Sequence, residues 1–311
     1  MNNFTSVNEV ANPNKLVQQV LDIKQNTSYP KVGENKSLAL IFFNPSLRTR
    51  MSTQKAAQNI GMDVTMMNID ADTWNIEFEN GTVMDGSTQE HIKDAVQIIS
   101  GYCDLMGVRT FANLQNRHKD YEEEVLSKFL EYSSVPIISL ESAIRHPLQS
   151  LADLTTIAES KIQKPKVVLS WVPHPKKLPQ AVANSFLEWI VETDAEITLT
   201  HPKGYELSKE FTDGIPISNN QKKALKNADF IYAKNWSSYS NYGQTPEVAQ
   251  NWVITAKKMN LSNQGKFMHC LPIRRNVVAS DEVIDNSLVY QQAKNREHAA
   301  QAVLQNIVEA L

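Results

Sequence analysis

Short apolar runs bounded by turn-forming residues alternate with segments of helical periodicity through most of the chain. Ser37-Leu-Ala-Leu-Ile-Phe-Phe43 is apolar after its first residue, as expected of a strand buried on both faces. Asn44-Pro45-Ser46 is a turn and helix-cap signal, and it predicts a helix from Leu47 that Gly61 closes. Asp63–Ile69 reads as the next strand. Ser87-Thr-Gln-Glu90 has the form of a capping box opening a helix through Ile98 toward Ser100. A strand at Asp104–Arg109, a helix over Lys119–Tyr132 and a strand at Val135–Leu140 complete a first set. A second set begins after His146-Pro147, with proline at the favoured first helical position. Strands are expected at Lys166–Trp171, Glu196–Thr200, Asp229–Tyr232 and Phe267–Leu271, and Val289–Leu311 reads as one long helix. This rhythm predicts an α/β protein of two domains, each with a parallel sheet flanked by helices, with the boundary near Ser142–Arg145.

At 311 residues, with 41% hydrophobic and 21% charged composition, the chain is long enough for two such cores. A formal charge of −3 gives no nucleic-acid or membrane footprint, and no run approaches the ~18 apolar residues of a membrane span. Two cysteines, Cys103 and Cys270, form no disulfide framework and suggest a reducing cytoplasmic setting. The spacing of histidines and cysteines offers no metal site. Glycine is scarce, 10 residues, and neither G-x-G-x-x-G nor G-x-x-x-x-G-K-[ST] occurs, so a Gly-rich phosphate loop is not expected. Arginine supplies only 8 of the 31 basic residues, which marks each one as a candidate for bidentate anion recognition.

Asn44-Pro-Ser-Leu-Arg-Thr-Arg50 follows a buried strand and opens a helix, where backbone N–H groups and the positive dipole end favour an anion. Ser46 and Thr49 add hydroxyls. Arg48 and Arg50, two apart, cannot share a helix face, so Arg48 is expected toward ligand and Arg50 to be structural, paired with a carboxylate. Taken alone, the segment also fits an ordinary capped helix. Arg109 ends an apolar strand, where a parallel sheet meets ligand or carries a salt-bridged rim residue. His146 stands at a helix N-terminus, whose dipole disfavours imidazolium. It is expected to be a neutral donor able to polarise a carbonyl, or simply a cap. In His269-Cys270-Leu271-Pro272, outward backbone carbonyls would accept from an –NH₂ group. Cys270 as a nucleophile would need a base and an oxyanion hole that no local signature supplies. Arg296 either reaches a ligand or is an exposed helix charge.

In this order, the segments resemble the carbamoyltransferase (transcarbamylase) family over essentially the whole chain. Ser46-Leu-Arg-Thr-Arg50 is similar to its S-T-R-T-R motif, departing at Leu47, which would act through its amide. His146-Pro-Leu-Gln149-Ser-Leu-Ala-Asp153 matches H-P-x-Q-x-L-A-D, and His269-Cys-Leu-Pro272 matches the H-C-L-P of the ornithine-type branch. The resemblance implies a carbamoyl-phosphate domain over 1–143, with helix 289–311 packing back on it, and an amino-substrate domain over 144–288. It further implies connecting helices, an active site in the interdomain cleft, and a homotrimer with sites shared between subunits. Carbamoyl phosphate would be held by Ser46, Leu47, Arg48, Thr49, Arg109, His146, Gln149, Cys270, Leu271, Arg296 and, from a neighbouring subunit, Trp74. Thr49, Arg109 and His146 would stabilise the developing oxyanion, an effect of about 3–4 kcal/mol per well-placed donor. No cofactor or metal is implied.

The ornithine enzymes carry a Ser-Met-Gly loop, absent here. Tyr232 to Gly243 instead resembles enzymes acting on Nα-acylated ornithine in arginine biosynthesis, and H-C-L-P disfavours the aspartate branch. In the acylornithine branch, a glutamate before Glu-His goes with acetylornithine and an uncharged residue with succinylornithine. Spacing from Trp74 and Arg109 puts Gln89 there, which favours N-succinyl-L-ornithine. If the register slips by one, Glu90 takes that place and the acetyl substrate is the better reading. His174, Lys176, Arg274 and Arg275 are available for the extra carboxylate, Arg274 first, and Glu141 and Lys234 are expected on the ornithine portion. Two other classes share parts of the pattern: a dinucleotide-dependent dehydrogenase, which lacks its glycine fingerprint here, and a catalytically dead relative, which would have lost motif residues.

Overall fold

The computed structural model describes residues 1–26, 28–69, 71–244 and 250–311. The chain forms two compact units. One comprises residues 1–112, 118–148 and 296–311, the other 113–117 and 149–295.

In chain order the first unit contains α1 (Pro13–Gln25), β1 (Ser37–Phe42), α2 (Arg48–Asn59), β2 (Asp63–Asn68), β3 (Ile76–Glu77), β4 (Glu90–His91), α3 (Ile92–Ser100) and β5 (Leu105–Arg109). After α4 (Arg117–Tyr121) come α5 (Glu124–Tyr132) and β6 (Ile137–Glu141). The main sheet is parallel, in the order β2-β1-β5-β6. One of its faces, Ala39, Ile41, Met106, Val108 and Ile137, packs with Ile92 and Val96 of α3 and Leu126 and Phe129 of α5. Leu38 and Leu40 on the opposite face are also buried, which is why β1 reads as an unbroken apolar run. Gly107 fits where a Cβ would stand 2.8 Å from Leu40 Cδ2.

Helix α6 (Pro147–Ala158) leads into the second unit, followed by β7 (Lys166–Trp171), α7 (Ala181–Ile190), β8 (Glu196–Thr200), α8 (Lys209–Thr212), β9 (Ile217–Ser218), α9 (Gln221–Ala224) and β10 (Phe230–Lys234). The chain closes with α10 (Ala256–Met259), β11 (Lys266–Met268), α11 (Asp281–Asp285) and α12 (Val289–Val308). Its sheet is parallel in the order β11-β10-β7-β8-β9. Val168, Ile231, Ala233 and Phe267 pack against Leu225, Ile254, Val278, Val283 and Val289. Among the described residues no helix is long and apolar enough to cross a membrane.

Several elements differ from the sequence expectations for identifiable reasons. Ser87–Glu90 does not cap a helix. Glu90 and His91 pair with Ile76 and Glu77, and α3 starts only at Ile92, capped by His91 Nδ1, which accepts from the Lys93 amide. The helix expected over 119–132 breaks at Glu123, in the left-handed region at φ 52°. The Glu123 carboxylate there accepts from the Ser142 hydroxyl and lies 3.6 Å from Arg145 Nη1, contacts distant in sequence that outweigh helix propensity. The final helix is divided between the units. Asn295 Nδ2 donates to Thr156 Oγ1 at 2.9 Å, tying residues 289–295 to the second unit. Gln19 and Asn306 exchange two amide hydrogen bonds, and Asn59 donates to Gln301, tying residues 296–311 to the first.

Candidate active site

In the first sheet the strand order reverses between β1 and β5, and in the second between β7 and β10. In open parallel sheets ligands bind beyond the carboxyl ends of the strands at such reversals. Phe42 pairs with Arg109 at the first, and Lys234 with Trp171 at the second. Of the candidate residues, Arg109 ends β5 and Lys234 ends β10.

Helix α2 begins at Arg48, one residue later than expected, because Leu47 rather than Ser46 occupies the cap position. Leu47 has no side-chain acceptor for the first turn, and its own backbone is already helical (φ −95°, ψ −59°). The first-turn amides therefore face an end with no carboxyl or hydroxyl cap, a suitable anion cradle. Thr49 is buried within this turn and Arg48 half-buried. Arg50 lies over the Phe42 ring at 4.7 Å, and no ion pair to the expected carboxylate is seen among the described residues. Asp72 is held below its usual range first by Asn68 hydrogen bonds, with the Arg50 charge adding to the effect.

Arg109 is buried and fully directed. Its Nη1 donates to the carbonyls of Asn44 (3.0 Å) and Pro45 (2.7 Å), its Nη2 to Glu141 Oε2 (3.1 Å), and its guanidinium lies 4.1 Å from the Phe111 ring centre. Glu141, expected on the substrate, thus pairs with Arg109, and its Oε2 also stands 3.6 Å from His146 Nε2. Arg296, in α12, is buried, with Nη1 3.0 Å from His146 Nε2 and Nη2 3.4 Å from Thr49 Oγ1. An arginine can only donate, so Nε2 carries a lone pair, and His146 is the neutral tautomer with its proton on Nδ1. Thr49, Arg109, His146 and Arg296 are thereby brought together in one buried group.

Trp74 sits on an exposed loop, 56% accessible, and its indole N–H donates to Glu90 Oε2 at 2.8 Å. The adjoining Gln89 is exposed, its backbone N–H donating to the Asn75 carbonyl. The Glu90 side chain is thus directed to Trp74.

In the second unit, buried Gln149 donates from Nε2 to Asp153 Oδ1 at 2.7 Å. Because a carboxylate only accepts, the Gln149 carbonyl oxygen must face the other way, as an acceptor suited to –NH₂. His269 is buried and its pKa is pushed down to about 3, chiefly by burial, so the neutral ring donates from Nδ1 to the Cys270 carbonyl. Cys270 and Leu271 precede the cis peptide to Pro272. Burial, then Asp153 and Cys270, raise the Tyr232 hydroxyl well above its ordinary range.

His174, Arg274 and Lys234 form a cationic corner. Arg274 Nε donates to His174 Nε2 at 3.2 Å, and the His174 pKa is lowered by burial first, then by Arg274, Lys234 and Lys176. Arg275, also expected to be available to the extra carboxylate, pairs with Asp281 (3.0 Å) and Asp285 (2.7 Å). Two residues escaped the sequence reading. Arg117 donates to the Tyr239 carbonyl at 3.0 Å with its guanidinium over that ring, and Lys177 Nζ reaches the carbonyls of Leu114 and Gly243. Both grip the 234–243 segment and join 113–117 to the second unit. A lone basic residue outside any motif gave no signal for this. Among the described residues no group of His, Cys, Asp or Glu side chains is arranged to hold a metal ion.

Two family models match the chain. The model of the aspartate/ornithine carbamoyltransferase carbamoyl-P binding domain matches residues 2–159, and that of the Asp/Orn binding domain matches residues 179–307. The chain belongs to the aspartate/ornithine carbamoyltransferase family. It is 46% identical to an N-succinylornithine carbamoyltransferase of Bacteroides fragilis (strain 638R), over 100% of both chains. It is 38% identical to an N-acetylornithine carbamoyltransferase of Xanthomonas campestris pv. campestris, over 88% of each. A crystal structure of a glutamate-to-alanine mutant of N-acetyl-L-ornithine transcarbamylase, complexed with carbamyl phosphate and N-succinyl-L-norvaline, superposes with a TM-score of 0.93 at 34% identity. It covers 99% of this chain and 100% of that one. As a carbamoyltransferase, the chain has the family's two α/β domains with parallel sheets flanked by helices.

Proposed function

We propose that this carbamoyltransferase transfers the carbamoyl group of carbamoyl phosphate to the δ-amino group of N-succinyl-L-ornithine, giving N-succinyl-L-citrulline and phosphate, in arginine biosynthesis. The observation that carries the substrate assignment is the cationic corner of His174, Arg274 and Lys234, in a chain whose residue 89 is an uncharged glutamine. Two carboxylates on the substrate call for such a corner, and a glutamate at the Gln89 position would repel the succinyl group. The strong similarity to N-succinylornithine carbamoyltransferases supports the same reading. So does the complex of a glutamate-to-alanine acetylornithine enzyme with N-succinyl-L-norvaline.

In this reaction the phosphate rests on Ser46, the Leu47 amide, Arg48, Thr49 and Arg296. Thr49, Arg109 and neutral His146 donate to the carbonyl oxygen, whose charge grows as the amine adds. Gln149 and the carbonyls of Cys270 and Leu271 accept from the carbamoyl –NH₂. The amine lone pair forms the new C–N bond, the C–O bond to phosphate breaks, and the departing phosphate takes the amine proton. Glu141 and Lys234 contact the ornithine portion. The enzyme acts as a cytoplasmic homotrimer. The exposed Leu47, Met51 and Trp74 support a covered surface, with Trp74 exchanging Glu90 for the phosphate of a neighbouring site.

The test is incubation with carbamoyl phosphate and, in turn, ornithine, N-acetylornithine and N-succinylornithine, with ureido product measured. The succinyl amine is expected to turn over fastest, and faster turnover of ornithine or acetylornithine overturns the assignment. Gln89→Glu should shift preference toward the acetyl substrate by about tenfold, the effect of roughly 1.4 kcal/mol of added repulsion.

A further inference from the structure

Gln292, near the start of α12, belongs to no motif and is completely buried. Its amide orientation is dictated by its partners. Oε1 accepts from the His269 backbone N–H at 2.9 Å, so the –NH₂ end faces Asp153 Oδ1, also at 2.9 Å. That same carboxylate oxygen accepts from Gln149 Nε2 at 2.7 Å. One buried carboxylate therefore gathers two amide –NH₂ groups, and three hydrogen bonds in series run from Gln149 through Asp153 and Gln292 to the backbone at His269. The His269 ring in turn donates to the Cys270 carbonyl.

The two ends of this series are the acceptors assigned above to the carbamoyl –NH₂: Gln149 at one, the Cys270 and Leu271 carbonyls at the other. We propose that Gln292 is a positioning residue that sets the spacing of these acceptors and thereby recognises the carbamoyl amide. The inference rests on the carbamoyl-transfer reading. Gln292 touches no substrate. It acts through Asp153 on the orientation of Gln149, and through the His269 amide on the turn carrying the carbonyls. A side chain without an amide in this place leaves the His269 N–H and one Asp153 lone pair unmatched, and both ends of the acceptor set are released.

The discriminating experiment compares carbamoyl phosphate with acetyl phosphate, which has the same phosphate and carbonyl but a methyl in place of –NH₂. Binding of each to the full-length enzyme is measured by calorimetry for the native protein, Gln292→Met and Gln292→Glu, with far-UV circular dichroism confirming the fold. The native enzyme should prefer carbamoyl phosphate. Gln292→Met should lose about tenfold in carbamoyl phosphate affinity, the effect of misaligned hydrogen bonds, while acetyl phosphate affinity is unchanged. Gln292→Glu sets two carboxylates against each other, and the pair takes up a proton that restores the lost donor. Its carbamoyl phosphate affinity should therefore recover as pH falls from 8 toward 6, a dependence a merely structural role does not produce. Equal weakening toward both phosphates in Gln292→Met, or none toward either, overturns the proposal even if Gln292→Glu fails to fold. Failure of the underlying reading shows separately, as a native enzyme that yields no ureido product or does not prefer carbamoyl phosphate.

Discussion

Removing Glu141 should destabilise the first unit mainly by stranding Arg109. The two side chains are 7% and 11% exposed, and their charged atoms stand 3.1 Å apart. At an effective dielectric of 20 that separation corresponds to an attraction of about 5 kcal/mol, before the desolvation of both groups is counted against it. Alanine at 141 leaves a buried guanidinium whose remaining partners are two backbone carbonyls and the Phe111 ring, so the loss should fall near the lower end of the ~3–5 kcal/mol range for a broken buried pair. With a urea slope of about 2 kcal/mol per molar for a unit of this size, the midpoint should drop by about 1.5 M. Glu141→Gln keeps a neutral acceptor and should lose about 1–2 kcal/mol. The decisive comparison is the double variant Glu141→Ala with Arg109→Met. If the cost lies in the stranded charge, taking that charge away should make the double variant more stable than Glu141→Ala alone. A double variant of equal or lower stability would refute the argument, as would a Glu141→Ala midpoint within about 0.3 M of the native value.

Three further outcomes follow from other parts of the molecule. Gly107→Ala places a Cβ 2.8 Å from Leu40 Cδ2 and within 3.3 Å of two Leu140 atoms, and should cost about 1–3 kcal/mol in urea unfolding. Unchanged stability would show that the two leucines give way. His269 is neutral in the folded state down to about pH 3, against 6.5 for a free imidazole. Between those values the unfolded chain binds the extra proton, so stability falls as pH drops, by about 4–5 kcal/mol in total. Acid titration of unfolding should show this limb flattened in His269→Gln, and an identical limb sinks the assignment. Arg296→Met should lower kcat by roughly a hundredfold, and Arg296→Lys should rescue little, because a single ammonium cannot meet His146 and Thr49 with the geometry of two guanidinium nitrogens. Native-like turnover by the lysine variant would remove Arg296 from the proposed machinery.

What the sequence made legible were the features whose cause is local. Strands β1, β7 and β8 show as apolar or alternating runs because burial acts on each residue in place. The motif residues stand out because they lie in the turns and first helical turns that follow the strands, where polar side chains interrupt an apolar pattern. What stayed hidden has its cause elsewhere in the chain. Nothing near Glu123 announces that Ser142 and Arg145 will hold it in a left-handed turn, and β3 and β4 exist only by pairing with each other. Ser87–Glu90 has a valid local capping pattern, yet Glu90 accepts from the Trp74 indole, sixteen residues away. The same distinction separates Gln149 from Gln292. Gln149 lies in a motif on the first turn of α6, whereas Gln292 gains its meaning from Asp153, 139 residues earlier, and from a backbone amide 23 residues earlier. A residue that contacts the reacting group can be read from its motif. A residue that fixes the orientation of such a group is recognisable only once the hydrogen-bond donors and acceptors around it have been counted.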